Sequence, residues 1–305
     1  MKITIIGAGG SVGSPAAFYL AAQKLADEFV LIDYKENLAK QHAMDMRTVM
    51  AGKDVLVRAG SYEDLPGTDI VINAAGVPQG LIKDRMELLP KNAVLIKDIA
   101  QKIKKYSPEA IIMTATNPAD PMNYAMYLAS GFDRKKVIGY SINDTFRFRE
   151  YIANAYNVKM KQVDGYCIGE HGTSQVLMFS TVKIDGKPVE VSEDIKRSIY
   201  AEVPLILKRF EELQAGRTAG WSCAIGFEKM VRAIVENTGA LMPCSVVVDG
   251  EYGQKGFSMS VPVMLGREGV MGIKEFNLAP DEQEKFKIST GILSKAAKLV
   301  EEHVL

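Results

Sequence analysis

Short apolar runs alternate with amphipathic segments over the first part of the chain, up to about residue 142. Brief, uninterrupted apolar runs are typical of strands that are buried on both faces of a parallel sheet. Between two of the runs, Ala39, Ala43, Met46 and Met50 recur at intervals of four, three and four, which indicates one buried face of a helix. This βαβα order predicts a doubly wound parallel sheet. The predicted strands are residues 2–6, 29–32, 69–73 and 110–114, and further helices are predicted at 12–24 and 86–106.

The pattern changes after about residue 142. Strand-like stretches at 180–184 and 188–191 flank an Asp185-Gly186 turn signal, and two more are found at 245–248 and 259–265. Helices are predicted at 193–214, at 222–237 and from Pro280 onwards. We therefore predict two domains, a Rossmann-type α/β domain at 1–142 and a mixed α+β domain at 143–305. The last helix should bury one face, made of Phe286, Thr290, Leu293, Ala297 and Val300.

Composition and charge narrow the class of protein. The chain has 305 residues, with 37 Lys plus Arg against 37 Asp plus Glu, so a zero net charge gives no reason to expect nucleic acid or an anionic membrane as partner. No apolar run approaches the length of a membrane span, and the chain opens directly on a strand without a signal peptide. The three cysteines are irregularly spaced, which favours free buried thiols and no metal site. We expect a cytoplasmic protein.

A glycine-rich turn stands between the first predicted strand and the first helix. Glycines there permit a tight turn and a close approach of the backbone to a pyrophosphate at the helix N-terminus. Asp33 closes the second strand, where an acid can hydrogen-bond a ribose and repel a 2′-phosphate, so NAD is favoured over NADP despite Lys35 nearby. Alternatively, Asp33 merely caps the next helix. The predicted cofactor-binding residues are Gly7, Gly9, Gly10, Ser11, Val12, Gly13 and Asp33, with Ala74, Ala75 and Gly76 at the end of another strand.

A histidine and an ion pair are candidates for acid/base chemistry. His171 stands between glycines in Gly-Glu-His-Gly at 169–172, and its ring can exchange a proton near neutral pH. Asp144 and Arg147 are three residues apart on a predicted helix and share a face. A carboxylate can fix the tautomer of a histidine, and an arginine can hold a substrate carboxylate. The alternatives are a loop histidine without function and a solvated ion pair.

Taken together, these motifs resemble the L-lactate/malate dehydrogenase family over essentially the whole chain. The matching pieces occur in the family's order: the glycine turn with Asp33, Asn-Ala-Ala-Gly-Val-Pro at 73–78, Thr-Asn-Pro at 116–118, Asp144 with Arg147, and Gly-Glu-His-Gly. The resemblance implies an oxidoreductase that transfers a hydride between NAD and a small L-2-hydroxy acid. It also implies a homodimer or a homotetramer.

The resemblance assigns roles to individual residues. His171 would donate and accept the proton, Asp144 would be its partner, and Arg147 would bind the substrate carboxylate. Asn117 would contact both substrate and nicotinamide. Arg85 would polarise the reacting carbonyl when its loop closes.

Two loop residues bear on the choice of hydroxy acid. In the family, the position that separates lactate from malate enzymes matches Gln79, and malate enzymes usually have an arginine there. Glutamine therefore favours a monocarboxylic substrate, as in the pyruvate/L-lactate pair. Lys83 could supply the missing cation, and the Gly-x-x-Gly-x-x-Gly spacing of the turn looks more like malate dehydrogenases. Malate dehydrogenase is therefore the alternative, and a non-catalytic NAD-binding regulator is a remote one.

A second segment, at 219–226, matches the helix that faces the substrate tail in the family. Either Trp221 or Ser222 would face the pocket, and an ordinary core position for Trp221 is the favoured alternative. Asn143 departs from the family pattern, because a leucine commonly precedes the aspartate in this motif. This departure bears on specificity more than on chemistry.

Overall fold

The computed structural model describes residues 1–77, 85–214 and 219–305, the side chains at positions 85, 204, 207 and 211 excepted. The strands are β1 (Lys2–Ile6), β2 (Glu28–Ile32), β3 (Leu56–Ala59), β4 (Ile70–Asn73), β5 (Ile111–Thr114), β6 (Val137–Tyr140), β7 (Val163–Ile168), β8 (Val176–Ile184), β9 (Lys187–Pro188), β10 (Ala240–Asp249), β11 (Lys255–Gly266) and β12 (Gly269–Ile273). The helices are α1 (Gly13–Ala22), α2 (Glu36–Met50), α3 (Leu89–Tyr106), α4 (Ala119–Ser130), α5 (Ile142–Tyr156), α6 (Glu193–Glu202), α7 (Ile206–Glu212), α8 (Trp221–Val235) and α9 (Pro280–Val304).

A parallel sheet forms the first half of the molecule. Its strands lie in the order β6-β5-β4-β1-β2-β3, and every neighbouring pair is parallel. The chain order reverses between β1 and β4, and in doubly wound sheets a ligand crevice opens at the carboxyl ends of the strands at such a point. The helix stripe predicted on α2 is buried. The predicted α/β class is confirmed.

The second half contributes antiparallel strands to two sheets. β10 pairs antiparallel with β6, so the first sheet continues through β10, β11 and β12. A separate sheet contains β7, β8 and β9 in antiparallel order. The last helix, α9, buries the face that the sequence predicted, and all three cysteines are buried and form no disulfide. The predicted α+β character of this half is therefore confirmed.

Several element boundaries differ from the prediction. The helix predicted at 193–214 is divided into α6 and α7 by the 3-10 turn Val203–Leu205, because Pro204 has no N–H for a continuous helix. The strand predicted at 188–191 is confined to Lys187–Pro188. The sequence analysis missed β3 and β6. β3 contains a charged Arg58 and an exposed Leu56, and β6 contains Gly139, so neither is an uninterrupted run of large apolar residues. Among the described residues, no helix is both long and apolar enough to cross a membrane.

Candidate active site

The glycine turn packs directly against the end of β4. Gly7 has φ of 82°, and a Cβ there would lie 2.6 Å from the Ala75 nitrogen. A Cβ on Gly13 would lie 2.2 Å from the Gly7 carbonyl oxygen. Both positions therefore require glycine, and the turn lies against Ala74 and Ala75, as predicted. Gly7, Gly9 and Gly10 bring main chain without side chains close to the N-terminus of α1, an arrangement that fits a pyrophosphate group.

Asp33 connects the glycine turn to the next helix. Its Oδ2 accepts a hydrogen bond from the Gly9 N–H at 2.8 Å, and its Oδ1 accepts one from the Lys35 N–H at 2.9 Å. The second bond is an Asx turn to the residue before α2, and that helix has no side-chain cap at its N-terminus, so the structure does not support the alternative that Asp33 caps the helix. The carboxylate stays at the carboxyl end of β2 beside the turn, where the ribose of a dinucleotide is expected.

A set of amide and hydroxyl side chains holds the loops that follow β4 and β5. Thr116 Oγ1 donates to the Ala75 carbonyl at 2.6 Å. The buried Asn92 accepts from the Val77 N–H at 2.8 Å and donates to the Asn117 carbonyl at 2.6 Å. Asn117 is thereby fixed at the carboxyl end of β5, across from Ala75. The sequence analysis did not identify Asn92. Its position on the apolar face of an amphipathic helix is a usable signal, because a buried amide needs hydrogen-bond partners.

The predicted acid/base group is assembled in the structure. The His171 Nδ1 and the Asp144 Oδ2 are 2.6 Å apart, and the Arg147 Nη1 donates to the Asp144 Oδ1 at 3.2 Å. The side chains are 10%, 4% and 11% exposed for His171, Asp144 and Arg147, respectively. The alternative of a solvated ion pair is therefore wrong, and His171 has a buried carboxylate as its partner. A buried carboxylate between a histidine and an arginine orients both side chains.

Asp120 also contacts His171, and the sequence analysis missed it. Its Oδ2 accepts the main-chain N–H of His171 at 2.6 Å, and its Oδ1 accepts the Ser245 hydroxyl at 2.5 Å. Burial raises the pKa of the Asp120 carboxyl to about 6, while these two hydrogen bonds act in the opposite direction. Because Asp120 lies in the first turn of α4, directly after β5, this contact places His171 at the carboxyl edge of the parallel sheet.

The N-terminus of α8 joins the cofactor cradle to the acid/base group. A Cβ on Gly220 would lie 1.9 Å from the Ser11 carbonyl, so α8 begins in direct contact with the glycine turn. The Tyr140 hydroxyl lies 2.8 Å from the Asn143 Oδ1 and 3.1 Å from the Ser222 carbonyl oxygen, and it can donate its single proton to either. Burial raises the pKa of Tyr140 well above its usual range. A Cβ on Gly226 would lie 2.0 Å from that hydroxyl, which shows how closely helix and ring approach.

Trp221 is not a core residue. It is 74% exposed at the start of α8, whereas Ser222 is half-buried, so the favoured alternative of an ordinary core position is wrong. Helical periodicity does not decide exposure in a first turn, because neighbouring elements cover only part of it. Asn143, the departure from the family pattern, is buried, and its amide also donates to the Cys223 thiol at 3.3 Å.

Three predicted residues are not described at the side-chain level. Gln79 and Lys83 lie outside the described residues. Arg85 begins the 3-10 helix Arg85–Leu88, immediately before α3, and its side chain is also outside the description. In the parts of the chain that are described, no group of three or more His, Cys, Asp or Glu side chains could hold a metal ion.

Comparison with known families agrees with this geometry. Residues 1–139 match the family model of the lactate/malate dehydrogenase NAD binding domain. Residues 143–304 match that of the lactate/malate dehydrogenase alpha/beta C-terminal domain. The chain belongs to the lactate/malate dehydrogenase family. The resemblance inferred from the motifs is confirmed, as is the prediction of NAD as cofactor, because the matching N-terminal model is an NAD binding domain.

Members of the family with both names resemble the chain to the same degree. The malate dehydrogenase of Natronomonas pharaonis is 34% identical over 287 residues, covering 93% of this chain and 94% of that protein. The L-lactate dehydrogenase of Staphylococcus saprophyticus is 33% identical over 302 residues, covering 96% and 95%. The crystal structure of a Cryptosporidium parvum lactate dehydrogenase complexed with lactic acid and nicotinamide adenine dinucleotide aligns with a TM-score of 0.93 and 31% identity over 98% of each chain.

Proposed function

We propose that this protein is an NAD-dependent dehydrogenase of small L-2-hydroxy acids, which interconverts a 2-hydroxy acid and its 2-oxo acid. The observation that carries the proposal is the buried group of His171, Asp144 and Arg147, held beside the carboxyl edge of the parallel sheet by Asp120. It combines a proton carrier with a cation for the substrate carboxylate. Such retention of matched acid/base and anion-binding side chains also argues against the remote alternative, a non-catalytic NAD-binding regulator.

His171 moves the proton. With its Nδ1 hydrogen-bonded to Asp144, its Nε2 is the ring nitrogen that faces the substrate. In the oxidation direction Nε2 takes the hydroxyl proton, and in the reduction direction it returns the proton to the carbonyl oxygen. The Asp144 carboxylate stabilises the imidazolium that forms in between. NAD, when bound, supplies the hydride acceptor or donor.

Other residues bind and orient the reactants. The Arg147 guanidinium, oriented by its bond to Asp144, holds the substrate carboxylate, and Arg85 stabilises charge on the reacting oxygen. Asn117 contacts both substrate and nicotinamide from the end of β5. For NAD, the turn at 7–13 binds the pyrophosphate, Asp33 binds the ribose, and Ala74, Ala75 and Gly76 line the crevice.

The two candidate substrates differ in their distal group. Gln79 favours a monocarboxylic acid such as pyruvate, because it offers no charge for a second carboxylate. Malate dehydrogenase is the alternative, favoured by Lys83 in the same loop and by the glycine spacing of the cofactor turn. Trp221 and Ser222 at the start of α8 bear on the space beside the substrate tail.

The test is NADH oxidation by the full-length protein with pyruvate, oxaloacetate, glyoxylate and larger 2-oxo acids, each at saturating and limiting concentration. We expect turnover with at least one of them and a higher kcat/KM for pyruvate than for oxaloacetate. Turnover with none would contradict the proposed enzyme. A strong preference for oxaloacetate would establish the malate alternative, and the loss of that preference in Lys83→Ala would then identify the cation responsible.

Three further expectations accompany the activity. The division into domains between residues 142 and 143 is supported by the ends of the two family matches.

A homodimer or homotetramer is supported by exposed apolar side chains on α1, α2 and α8, which are Phe18, Met44, Val49, Trp221 and Ile225. Sedimentation of the purified protein at several concentrations tests the second expectation, since a concentration-independent monomer would contradict it. A cytoplasmic location is supported by three buried cysteines that form no disulfide, and fractionation of the source cells tests it.

A further inference from the structure

The Asp120 carboxyl belongs to a buried polar cluster behind His171. Ser245 and Ser258 from β10 and β11 exchange a hydrogen bond of 2.9 Å between their hydroxyls, and Asn123 donates to Ser258 Oγ at 2.9 Å. Ser245 in turn donates to Asp120 Oδ1. One oxygen of Asp120 therefore binds the Ser245 hydroxyl, and its other oxygen accepts the main-chain N–H of His171. Placing a carboxylate here has a cost in solvation that an apolar residue would not have.

We propose that Asp120 is a positioning residue, which fixes the main chain of His171 and whose buried negative charge favours the protonated form of the His171 ring. The inference rests on the proposed function, in which that ring alternates between its neutral and protonated forms. Asp120 touches the main chain of His171, so it acts through that residue rather than on the substrate. Asp144 binds the same histidine at the ring, from a different helix.

Geometry supports the first part of the proposal. The loop between β7 and β8 follows Gly169, which pairs with Ser260 of β11 through two main-chain bonds of 2.9 and 3.0 Å. The Glu170 N–H then donates to the Ser289 hydroxyl at 2.7 Å, and the His171 N–H donates to Asp120 at 2.6 Å. The bond to Asp120 is thus the main-chain anchor on His171 itself, and without it the direction of Nε2 would be less well defined.

Electrostatics supports the second part. His171 lowers the pKa of Asp120, whereas Glu170 raises it, so the carboxyl interacts with both charges. Linkage is reciprocal, and a carboxylate stabilised by a protonated ring stabilises that ring equally. Among the described side chains, Asp144 of α5 contacts the histidine ring, and Arg147 of the same helix contacts Asp144. Both residues are unaltered in a variant of Asp120, so the contribution of Asp120 can be isolated.

The informative substitution is Asp120→Asn. An amide of the same shape can accept the His171 N–H through its oxygen and donate to the Ser245 hydroxyl, so it removes the charge and keeps the anchor. The readout is the titration of the His171 ring by NMR in the full-length protein, in which only two other histidines occur. We expect the midpoint to move to lower pH, with about a tenfold change in the ionisation constant. The same displacement should be found in the pH profile of kcat/KM.

A control removes a charge elsewhere. Asp164 lies on β7, the strand that leads into the same loop, but it is exposed and contacts Arg149 instead of His171. Asp164→Asn should leave the His171 titration unchanged. If Asp120→Asn does not move the midpoint beyond this control, the charge role is wrong. Since the NMR titration needs no turnover, this outcome is distinct from a failure of the proposed activity.

A second variant keeps the proposal testable if Asp120→Asn does not fold. Ser245→Ala keeps the carboxyl group of Asp120 and removes one of its two hydrogen-bond donors. Because that hydrogen bond lowers the pKa of Asp120, its loss should raise this pKa further. A larger protonated fraction of Asp120 should move the His171 midpoint in the same direction, by a smaller amount. A midpoint identical to that of the unaltered protein would contradict the proposal.

Discussion

The two halves of the candidate site are built in different ways. The cofactor half is made largely of main chain: Gly7 and Gly13 leave no room for a Cβ, and Asp33 binds the N–H of Gly9. The acid/base half is made of side chains from four separate elements, with Asp120, Asp144 and Ser245 gathered around His171. The cofactor half depends on positions that carry no Cβ atom. The acid/base half depends on polar side chains that are far apart in the sequence.

This difference decides how each half should respond to substitution. Adding an atom to the cofactor half blocks a close approach, so small changes there should affect binding of NADH. Removing a functional group from the acid/base half leaves the glycine turn in place, so changes there should affect turnover with little effect on NADH binding. Four substitutions test that separation, beginning with the largest expected effect.

His171→Ala should lower kcat by about 10²–10⁴-fold, because it removes the general acid and base. The dissociation constant for NADH, measured by fluorescence titration, should stay within about twofold, since the cofactor cradle is formed by other residues. His303→Ala, which changes a histidine at the end of α9, is the matched control and should leave both quantities unchanged. Near-normal turnover of His171→Ala would remove this residue from the mechanism.

Gly13→Ala should weaken NADH binding, since the new Cβ would lie 2.2 Å from the Gly7 carbonyl oxygen and displace the turn. Overpacking of this kind costs about 1–3 kcal/mol, which corresponds to roughly a 5- to 150-fold increase in the dissociation constant. The matched control is Gly291→Ala in α9, where a Cβ meets nothing within 4 Å. The separation of the two halves would fail if Gly13→Ala bound NADH normally.

Arg147→Lys should raise the KM for the 2-oxo acid by about 10-fold or more, because lysine cannot form the paired contact of a guanidinium with a carboxylate. NADH binding should again be preserved. The measurement is steady-state kinetics at saturating NADH. An unchanged KM would mean that Arg147 serves only to orient Asp144.

Tyr140→Phe should have the smallest effect. It removes the hydroxyl that joins Asn143 to the Ser222 carbonyl, and the cost in free energy of unfolding should be about 1–3 kcal/mol because buried partners are left unsatisfied. As the start of α8 is then less constrained, the ratio of kcat/KM between pyruvate and oxaloacetate should change by a few fold. Tyr34→Phe, at an exposed position, is the control for stability. No change in either quantity would show that the two helices are positioned independently of this hydroxyl.

The same contrast explains what the sequence could predict. The glycine turn and Asp33 lie in one short stretch, and the loop histidine and the helical ion pair each have a local signature. Asp120 and Ser245 are 125 residues apart and have no shared pattern, so their contact becomes visible only in the folded chain. From the sequence, an ordinary core position is the favoured alternative for Trp221, yet the first turn of α8 leaves this side chain exposed. Asn143 departs from the family pattern, and the sequence could not show what this residue contacts. Its partners Tyr140 and Cys223 come from a strand and a helix that lie beside it only in the folded chain.

The central claim is that His171 supplies the proton while a hydride passes between nicotinamide and the 2-carbon of a hydroxy acid. The most direct measurement incubates the protein with NADH that carries deuterium at both C4 positions, together with pyruvate or oxaloacetate, and locates the deuterium in the product by mass spectrometry and NMR. The account predicts an L-2-hydroxy acid that carries one deuterium at carbon 2, and at least a hundredfold slower formation of it by His171→Ala at saturating NADH. Absence of deuterium from carbon 2, or equal rates for the two proteins, would contradict it.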